Sequence, residues 1–293
     1  MSKISIRFYK DYKVRAVWDE DHNQWWFSIL DIVGAVNEQD NHEKNRNYWK
    51  YLKAKLKKEN SEVVSATTQL KLTASDGKNY KTDVISQAGV EELVKAIPNR
   101  QAMSFLDWFK YSENTIDGQS RKKAYTLWES NLVADKDVGT VKSLQQIHAY
   151  LFGGLYDFAG KIRTKTISKG NTLFCLAEYL HDNLKTIEQM PETTFDEIVD
   201  KYVEMNVAHP FMEGNGRSTR IWLDLIFKKR LGLCVDWSKI NKRDYLEAMI
   251  ASHMDSTRIR ELLKQAMTDK IDDREIFMKG IDYSYYYEQE DEA

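Results

Sequence analysis

The sequence predicts a mostly α-helical protein that begins with a smaller region of mixed α and β structure. Three observations lead to this fold class. Glycine and proline are scarce, with 13 and 3 among 293 residues, which favours long uninterrupted helices. From residue 121 onward, apolar residues recur at spacings of three and four, as they do on one face of a helix. The first 90 residues instead contain short β-branched and aromatic runs separated by polar turns.

The mixed region contains two predicted pairs of strands. Residues 13–18 (KVRAVW) and 24–27 (QWWF) flank a polar turn and predict a hairpin. Two further β-rich segments, 61–72 and 78–85, are separated by the turn sequence Ser75-Asp76-Gly77-Lys78. Helices of this region are predicted at 28–36, 45–58, 90–96 and 100–111.

A polar, glycine-containing stretch at residues 112–119 interrupts the pattern and marks a predicted boundary between domains at 1–112 and 113–293. The second domain is predicted to be helical with one interruption. Residues 161–175 are β-branched on both sides of a Lys-Gly-Asn turn, which predicts a hairpin inside a helical bundle. The predicted helices are 121–133, 140–156, 176–189, 194–208, 215–231, 241–253 and 257–269.

Composition excludes several classes of protein. Hydrophobic residues make up 42% of the chain, which is enough to form cores and argues against global disorder. No run of about 18 apolar residues occurs, so no membrane span is predicted. The first ten residues lack the apolar segment of a secretion signal, and a cytoplasmic location is therefore expected. Cys175 and Cys234 are far apart with no CxxC pair, which argues against a zinc site or a disulfide framework.

A strongly basic segment lies within the first domain, although the formal net charge of the chain is only -2. Residues 44–58 contain seven lysines and arginines and no acidic residue, with Tyr48, Trp49 and Tyr51 interleaved. Such a helix is suited to contact nucleic acid, and DNA is the candidate partner. The alternative is a solvated helix face, which is what a charge run usually is.

The segment His209 to Arg220 (HPFMEGNGRSTR) combines groups suited to chemistry on a nucleotide phosphate. Its two glycines allow close backbone approach where the predicted helix 215–231 begins. The free N–H groups and positive dipole end of that helix form an anion site. Arg217 and Arg220 lie three residues apart on its first turn and are able to bind phosphate oxygens.

Two further side chains of this segment suit the same chemistry. Glu213 offers a hard oxygen ligand for Mg²⁺ beside the phosphates. His209 is the residue there whose unperturbed pKa suits proton abstraction near neutral pH. The segment lacks the GxxxxGK[ST] pattern, so it is not a P-loop.

HPFMEGNGRSTR resembles the signature of Fic-domain proteins, His-x-Phe-x-(Asp/Glu)-Gly-Asn-Gly-Arg-x-x-Arg, at every fixed position. Residues 147–174 also resemble the lead-in helix and flap hairpin of that family, and the resemblance spans about residues 120–290. It implies a Fic-type helical bundle with a β-hairpin flap. The implied activity transfers AMP from ATP to a Ser, Thr or Tyr hydroxyl of a target protein, with the chain itself as one candidate target.

The same resemblance implies a role for each motif residue. His209 would deprotonate the target hydroxyl, Glu213 would bind Mg²⁺, and Phe211 would anchor the loop in the core. The implied ATP and phosphate ligands are Gly214, Asn215, Gly216, Arg217 and Arg220. The implied flap, which would pair with the target as an added strand, comprises Thr166, Ile167, Ser168, Lys169, Gly170, Asn171 and Thr172. A purely structural hairpin is the alternative for these flap residues.

Residues 281–289 (IDYSYYYEQ) place Ser284 and Glu288 four apart, on one face of a short helix. They resemble the inhibitory motif (Ser/Thr)-x-x-x-Glu-(Gly/Asn) of C-terminally inhibited Fic proteins. The resemblance implies a helix at about 282–289 whose Glu288 pairs with Arg220 and excludes the γ-phosphate. Gln289 stands where the family has Gly or Asn, which implies a different helix end and a looser inhibition.

The alternative for this segment is an aromatic tail packed on the bundle, with Glu288 a solvated acid. The clustered tyrosines beside the site are also candidate targets of self-modification.

The N-terminal sequences VRAVWDEDHNQWWFSILDIVGAV and NYWKYLKAKLKKE resemble the Bro-N domain of phage antirepressors over about residues 10–110. Two functions therefore stand. One is an autoinhibited AMP transferase. The other is a nucleic-acid-binding transcriptional regulator whose Fic module has a secondary activity, namely AMP removal or another nucleotidyl transfer. Either function is compatible with a homo-oligomer.

Overall fold

A computed structural model describes residues 4–289 except 20, 21, 23, 75–77, 128, 129, 131 and 171. The predicted fold class, mostly α with a smaller α+β region first, is confirmed. The chain divides into two compact units, one ending at Thr115 and the other spanning Ile116–Gln289.

The first unit is built around an antiparallel sheet. Its strands are β1 (Ile4–Tyr9), β2 (Tyr12–Asp19), β3 (Gln24–Ser28), β4 (Thr67–Thr73) and β5 (Asn79–Ser86). They lie in the order β1-β2-β3-β5-β4. The predicted hairpin is confirmed as β2 and β3, with Trp18 opposite Trp25. Strand β1 was not predicted from the sequence. The predicted turn at Ser75–Gly77 lies outside the described residues, and Ala74 N–H donates to the Lys78 carbonyl across it at 2.8 Å.

Helices cover this sheet and bury its apolar side chains. They are α1 (Ile29–Val36), α2 (His42–Lys58), α3 (Glu62–Ser65), α4 (Gln87–Lys95) and α5 (Ala102–Tyr111). The core includes Phe27, Ile32 and Phe105, all fully buried. The prediction of β structure throughout 61–72 is wrong, because Ser61 caps the short helix α3 by accepting a hydrogen bond from Val63 N–H.

Helix α2 carries the basic segment, and its aromatic residues do not all face solvent. Trp49 is 4% exposed in the core and its indole N–H donates to Asp83 at 2.8 Å. Tyr48 is half-buried against the same core, whereas Tyr51 is 74% exposed. The interleaved aromatic residues are therefore mainly core residues, and the exposed face of α2 is basic.

The second unit is a helical bundle. Its helices are α6 (Ile116–Thr126), α7 (Val141–Phe152), α8 (Ala177–Gln189), α9 (Phe195–Ala208), α10 (Asn215–Leu231), α11 (Lys242–Ala251), α12 (Thr257–Ala266) and α13 (Arg274–Tyr286). Helix α10 contacts α7, α9 and α13 and is buried on most sides. Trp222 and Phe227 are fully buried on it, and so is most of its polar first turn. This burial brings the polar first turn into a largely desolvated environment.

The predicted hairpin within the bundle is confirmed as β6 (Ser168–Lys169) and β7 (Thr172–Leu173). Several predicted helices have other bounds, and the helix predicted at 241–253 spans Lys242–Ala251. The helix predicted at 121–133 begins at Ile116 and ends at Thr126, and the helix predicted at 140–156 ends at Phe152. The helix predicted to end at 269 ends at Ala266, because residues 267 and 268 pair as a strand with Cys234–Val235. Among the described residues, no helix has the length and hydropathy needed to cross a bilayer.

Candidate active site

The loop between α9 and α10 begins and ends with a left-handed residue. His209 caps the end of α9 with φ 48° and ψ 64°, a conformation that non-glycine residues rarely adopt. Gly214 precedes α10 with φ 79°, and a Cβ at this position would collide with the Phe152 ring. Glycine is therefore required at 214 for both its conformation and its packing, and His209 is held in a strained conformation by its surroundings.

The His209 imidazole is oriented by a backbone carbonyl and an aromatic ring. Nδ1 lies 3.1 Å from the Asn206 carbonyl, which can only accept a hydrogen bond. Nδ1 therefore carries the proton, and the lone pair of Nε2 is left available as a base. The ring stacks on Phe174, with centroids 3.6 Å apart. Burial lowers the pKa of His209 to about 4, against the opposing effect of the Asn206 hydrogen bond, so the ring is neutral near pH 7.

Buried side chains hold the rest of the loop. Phe211 is fully buried and stacks on His148 at 3.8 Å. The Asn215 side chain accepts from Phe211 N–H at 2.8 Å and donates to the Phe211 carbonyl at 2.7 Å. The Asn215 side chain therefore braces the loop, and its backbone lies at the start of α10. His148 lies within hydrogen-bond distance of the Glu213 carbonyl, at 2.8 Å from Nε2, and accepts from Gly160 N–H at Nδ1.

Glu213 and Arg217 form an ion pair at the start of α10. The Glu213 side chain is 56% exposed, and its Oε1 accepts from Arg217 at 2.8 Å and from Gly214 N–H at 2.9 Å. Arg217 is buried, with its guanidinium 5.1 Å from the Phe152 ring centroid, and it also pairs with Asp117 on α6. Asp117 is 100 residues away in sequence, and no local sequence signal identifies it.

Glu213 by itself supplies too few oxygen ligands for a magnesium ion, and phosphate oxygens would have to supply others. Among the described residues, no group of three or more His, Cys, Asp or Glu side chains converges as a metal site. Mg²⁺ commonly binds through one or two carboxylates plus substrate phosphates, keeping several waters. The single exposed carboxylate of Glu213 is consistent with an ion that arrives with a nucleotide.

Arg220 is buried, and each of its guanidinium nitrogens has a partner. Nε donates to Ser284 Oγ at 2.7 Å, Nη1 to the Tyr245 hydroxyl at 3.1 Å, and Nη2 to the Ser284 carbonyl at 2.7 Å. Nη2 also donates to Glu288 Oε1 at 2.6 Å. Ser284 and Glu288, which the sequence predicted to act together, therefore both accept hydrogen bonds from Arg220. Tyr245 also accepts one, and no sequence motif predicted its role.

The Glu288 carboxylate lies against the first turn of α10. A Cβ at Gly216 would collide with Glu288 Oε1, so the glycine leaves room for the carboxylate. Lys169 of the hairpin lies 3.6 Å from Glu288 Oε2. Burial by itself would raise the pKa of Glu288, but the charges of Arg220 and Lys169 outweigh it and hold the pKa at about 2. Glu288 is therefore an ionised carboxylate at the N-terminal end of α10.

Glu288 follows a longer helix than the one predicted at 282–289. Helix α13 spans Arg274–Tyr286, and Glu288 N–H donates to the Tyr285 carbonyl in the turn after it. Neither Glu288 nor Gln289 has a positive φ, so the absence of Gly or Asn at 289 imposes no strain. The Gln289 carbonyl accepts from Lys242 at 2.7 Å.

The tyrosines of this segment are core residues. Tyr283, Tyr285 and Tyr287 are at most 5% exposed. The Tyr285 hydroxyl donates to Ser120 Oγ at 3.0 Å, and the Tyr287 hydroxyl donates to the Trp237 and Ile240 carbonyls. The aromatic packing that the alternative interpretation expected is present, but Glu288 is not a solvated acid. Self-modification of these three tyrosines would require the helix to leave its site.

The predicted flap residues lie in and beside the hairpin of β6 and β7. Lys169 and Gly170 are exposed, as is Leu173 at 64%. Thr166 lies at the base of the hairpin, where its hydroxyl oxygen accepts from Ala177 N–H at 3.1 Å, and Ile167 accepts from Phe174 N–H at 3.3 Å. Asn171 lies outside the described residues.

Comparison with known families assigns both parts of the chain. Residues 139–227 match the Fic/DOC family, and residues 13–115 match the N-terminal domain of the BRO family. The chain contains a Fic domain and a Bro-N domain. The loop from His209 to Gly214 and the first turns of α10 lie within the Fic match, whereas Glu288 lies beyond it.

Two curated relatives are named as adenylyltransferases. The probable protein adenylyltransferase y4lH of Sinorhizobium fredii is 31% identical over 118 residues, which cover 36% of this chain and 61% of the relative. The protein adenylyltransferase VbhT of Bartonella schoenbuchensis is 29% identical over 140 residues, covering 43% of this chain and 29% of the relative. The chain thus spans less than two thirds of either relative. A solved structure, the N-terminal Fic domain of a Bep effector from Bartonella sp. AR 15-3, has 17% identity and a TM-score of 0.48 over 55% of this chain and 84% of that one.

We expect the His209 imidazole to titrate near pH 4 in carbon-13 NMR of histidine-labelled protein, its resonance being assigned by its loss in His209→Gln. Burial lowers the pKa of the folded state below the ordinary 6.5. The unfolded chain therefore binds more protons between these values, and His209 lowers stability as the pH falls through that range. The urea-unfolded protein is the control, in which all six histidines should titrate near about 6.5. A midpoint of about 6 or above in the folded protein would contradict the buried environment.

Proposed function

We propose that this chain is a protein adenylyltransferase that transfers AMP from ATP to a Ser, Thr or Tyr hydroxyl of a target protein and is inhibited by Glu288. The observation that carries the proposal is the loop from His209 to Gly214. It combines a neutral imidazole with an available Nε2, an exposed carboxylate, and the N-terminal end of the buried helix α10. The names of the curated relatives support the same activity.

In the proposed reaction, the target hydroxyl gives its proton to Nε2 of His209 while its oxygen bonds to the α-phosphorus of ATP. The bond from the α-phosphorus to the oxygen bridging to the β-phosphate breaks, and pyrophosphate leaves with the electron pair. The N–H groups and dipole at the start of α10 stabilise the negative charge on the phosphates. Glu213 would hold Mg²⁺, which neutralises phosphate charge when bound.

The proposed inhibition follows from what the Glu288 carboxylate occupies. A γ-phosphate that binds Arg220 must take the position in which Glu288 accepts from Nη2 at 2.6 Å. Arg220 is 2% exposed and Glu288 17%, so solvent screens their attraction little. With Glu288 in place, ATP is expected to bind with its γ-phosphate displaced and its α-phosphate away from His209.

The flap is the proposed docking site for the target. An extended segment that adds a strand beside β6 or β7 would place its hydroxyl near His209, because Phe174, which directly follows β7, stacks on that ring. Leu173 of β7 is exposed and offers an apolar contact to such a segment.

Glu288→Gly is expected to raise label transfer from ATP labelled at the α-phosphate to proteins of a cell lysate by at least about tenfold. The reason is that a charge-assisted hydrogen bond contributes more than about 1.4 kcal/mol, the equivalent of a factor of ten. Gln289→Gly is the matched control, since it makes the same substitution at the next residue and leaves the carboxylate in place. Equal transfer by wild type and Glu288→Gly would refute the inhibitory role.

His209→Ala, made in the Glu288→Gly background, should lower transfer by about 10²–10⁴-fold, the usual contribution of a general base. Calorimetry with magnesium and α,β-methylene ATP, in which the bond to be broken is blocked, should show nucleotide binding that stays within about twofold. Such binding would separate loss of the base from loss of the fold. Undiminished transfer by this variant would rule out His209 as the base.

The second candidate function is nucleic-acid binding through α2, and it is favoured by the exposed basic face of that helix. Lys44, Arg46, Lys50, Lys57 and Lys58 are exposed, and none of these five has an acidic partner within the described part of the chain. Lys53 differs, because it pairs with Asp83 at 2.7 Å. Phosphate contacts by such a face give binding that weakens steeply with salt.

If α2 binds duplex DNA, the double variant Lys50→Gln/Lys57→Gln of the full chain should bind more weakly and its salt slope should fall by about two. Fluorescence anisotropy with a labelled duplex over a salt series measures both quantities. Lys142→Gln/Lys185→Gln, which removes two exposed lysines of the second unit, is the control of equal charge. Identical affinity and slope in the wild type and the α2 variant would exclude this helix as the contact.

A further inference from the structure

The guanidinium of Arg163 joins the loop that carries His209 to both ends of the flap. Nε donates to the His209 carbonyl at 2.7 Å, and Nη2 donates to the Ala208 carbonyl at 3.0 Å. On the flap side, Nη1 donates to the Lys165 carbonyl at 2.6 Å and Nη2 to the Cys175 carbonyl at 2.5 Å. One side chain therefore binds four backbone carbonyls from three segments.

Arg163 is unusual as a buried charge, because its partners are peptide carbonyls. It is 4% exposed, and no Asp or Glu in the described part of the chain pairs with it. Burying a cation without a carboxylate is costly, and only well-placed hydrogen bonds offset the cost. The planar guanidinium of arginine can donate hydrogen bonds to four carbonyls at once, because it has five N–H donors. The ammonium group of lysine has three and cannot do so.

The carbonyls on the loop side are those that most need a donor. Ala208 ends α9 and His209 caps it, so their carbonyls lack partners within the helix. The Arg163 backbone N–H also donates to the Pro210 carbonyl at 2.9 Å. These contacts hold the backbone of His209 in its strained left-handed conformation, while its imidazole stacks on Phe174 at the end of the hairpin.

The carbonyls on the flap side flank the hairpin. Lys165 immediately precedes the predicted flap, and Cys175 follows Phe174, whose ring stacks on His209. The guanidinium of Arg163 therefore holds both the base and the flap, beside a backbone hydrogen bond in which Cys175 N–H donates to the Val207 carbonyl at 3.1 Å.

We propose that Arg163 is a positioning residue for AMP transfer, which sets the distance between His209 and a hydroxyl docked on the flap. This inference rests on the proposed function. Misplacing a reacting group by about 1 Å can cost about 10²-fold in rate even when the altered residue touches no substrate. The cationic charge of Arg163 has a second effect. Together with Lys169 it disfavours the imidazolium form of His209, while Glu288 favours it.

The test uses two variants of the full chain in the Glu288→Gly background. Arg163→Lys keeps the charge and loses the fork, and Arg163→Gln loses both. In each, the apparent kcat of label transfer should fall by at least about tenfold, while the apparent KM for ATP and the calorimetric affinity for magnesium and α,β-methylene ATP stay within about twofold. Arg243→Lys, at an exposed arginine paired with Glu247, is the control and should change none of these values.

The titration of His209 is a second readout that needs no turnover. Arg163→Gln should raise the NMR midpoint of His209, and Arg163→Lys should leave it close to that of the background. An apparent kcat within about twofold of the background in both variants, or a loss of kcat matched by an equal loss of nucleotide affinity, would overturn the proposal. If the background chain transfers no label, the adenylyltransferase proposal fails. An unchanged His209 midpoint in Arg163→Gln would then still refute the role of Arg163.

Discussion

The buried ion pair between Arg220 and Glu288 is the interaction on which the rest of the site depends. It places a carboxylate at the positive end of α10, where both the helix dipole and Arg220 favour a negative charge. Removing that carboxylate alone would leave a buried guanidinium without its counter-ion, which is strongly unfavourable. A phosphate that replaces the carboxylate restores the balance of charge. Under the proposed function, the site exchanges one anion for another, and its state depends on which anion binds better.

The loop from His209 to Gly214 is braced from several sides. His148 holds the Glu213 carbonyl, Asn215 holds both backbone groups of Phe211, and Arg163 holds the carbonyls of Ala208 and His209. Each brace is buried, so its hydrogen bonds compete little with water. Such bracing explains how a histidine stays in a left-handed conformation, and it leaves the imidazole and the helix end in fixed relative positions.

The sequence could predict those parts of the site whose residues are neighbours along the chain. The residues from His209 to Arg220 are close in space because they are close in sequence, and the periodicity of the long helices identified most of the bundle. Asp117, Tyr245 and Arg163 were missed because their roles depend on contacts with residues 25 to 100 positions away. Trp49 was misread for a different reason, because its spacing of three and seven residues from Leu52 and Leu56 already indicates the buried face of this helix.

The packing of α13 limits how Glu288 can leave Arg220. Tyr285 and Tyr287 are buried and hydrogen-bonded, so undocking the helix would expose large aromatic surfaces and break the hydrogen bonds of both hydroxyls. The backbone of the two residues after Tyr287 makes fewer contacts. Glu288 N–H and Gln289 N–H each donate to a carbonyl three residues back, and the Gln289 carbonyl accepts from Lys242 at 2.7 Å. Under the proposed function, the least costly release is therefore a movement of the Glu288 side chain and its turn while α13 stays in place. Because Lys169 is the other partner of that carboxylate and belongs to the flap, a target segment that draws Lys169 away would weaken the hold on Glu288 from the same side.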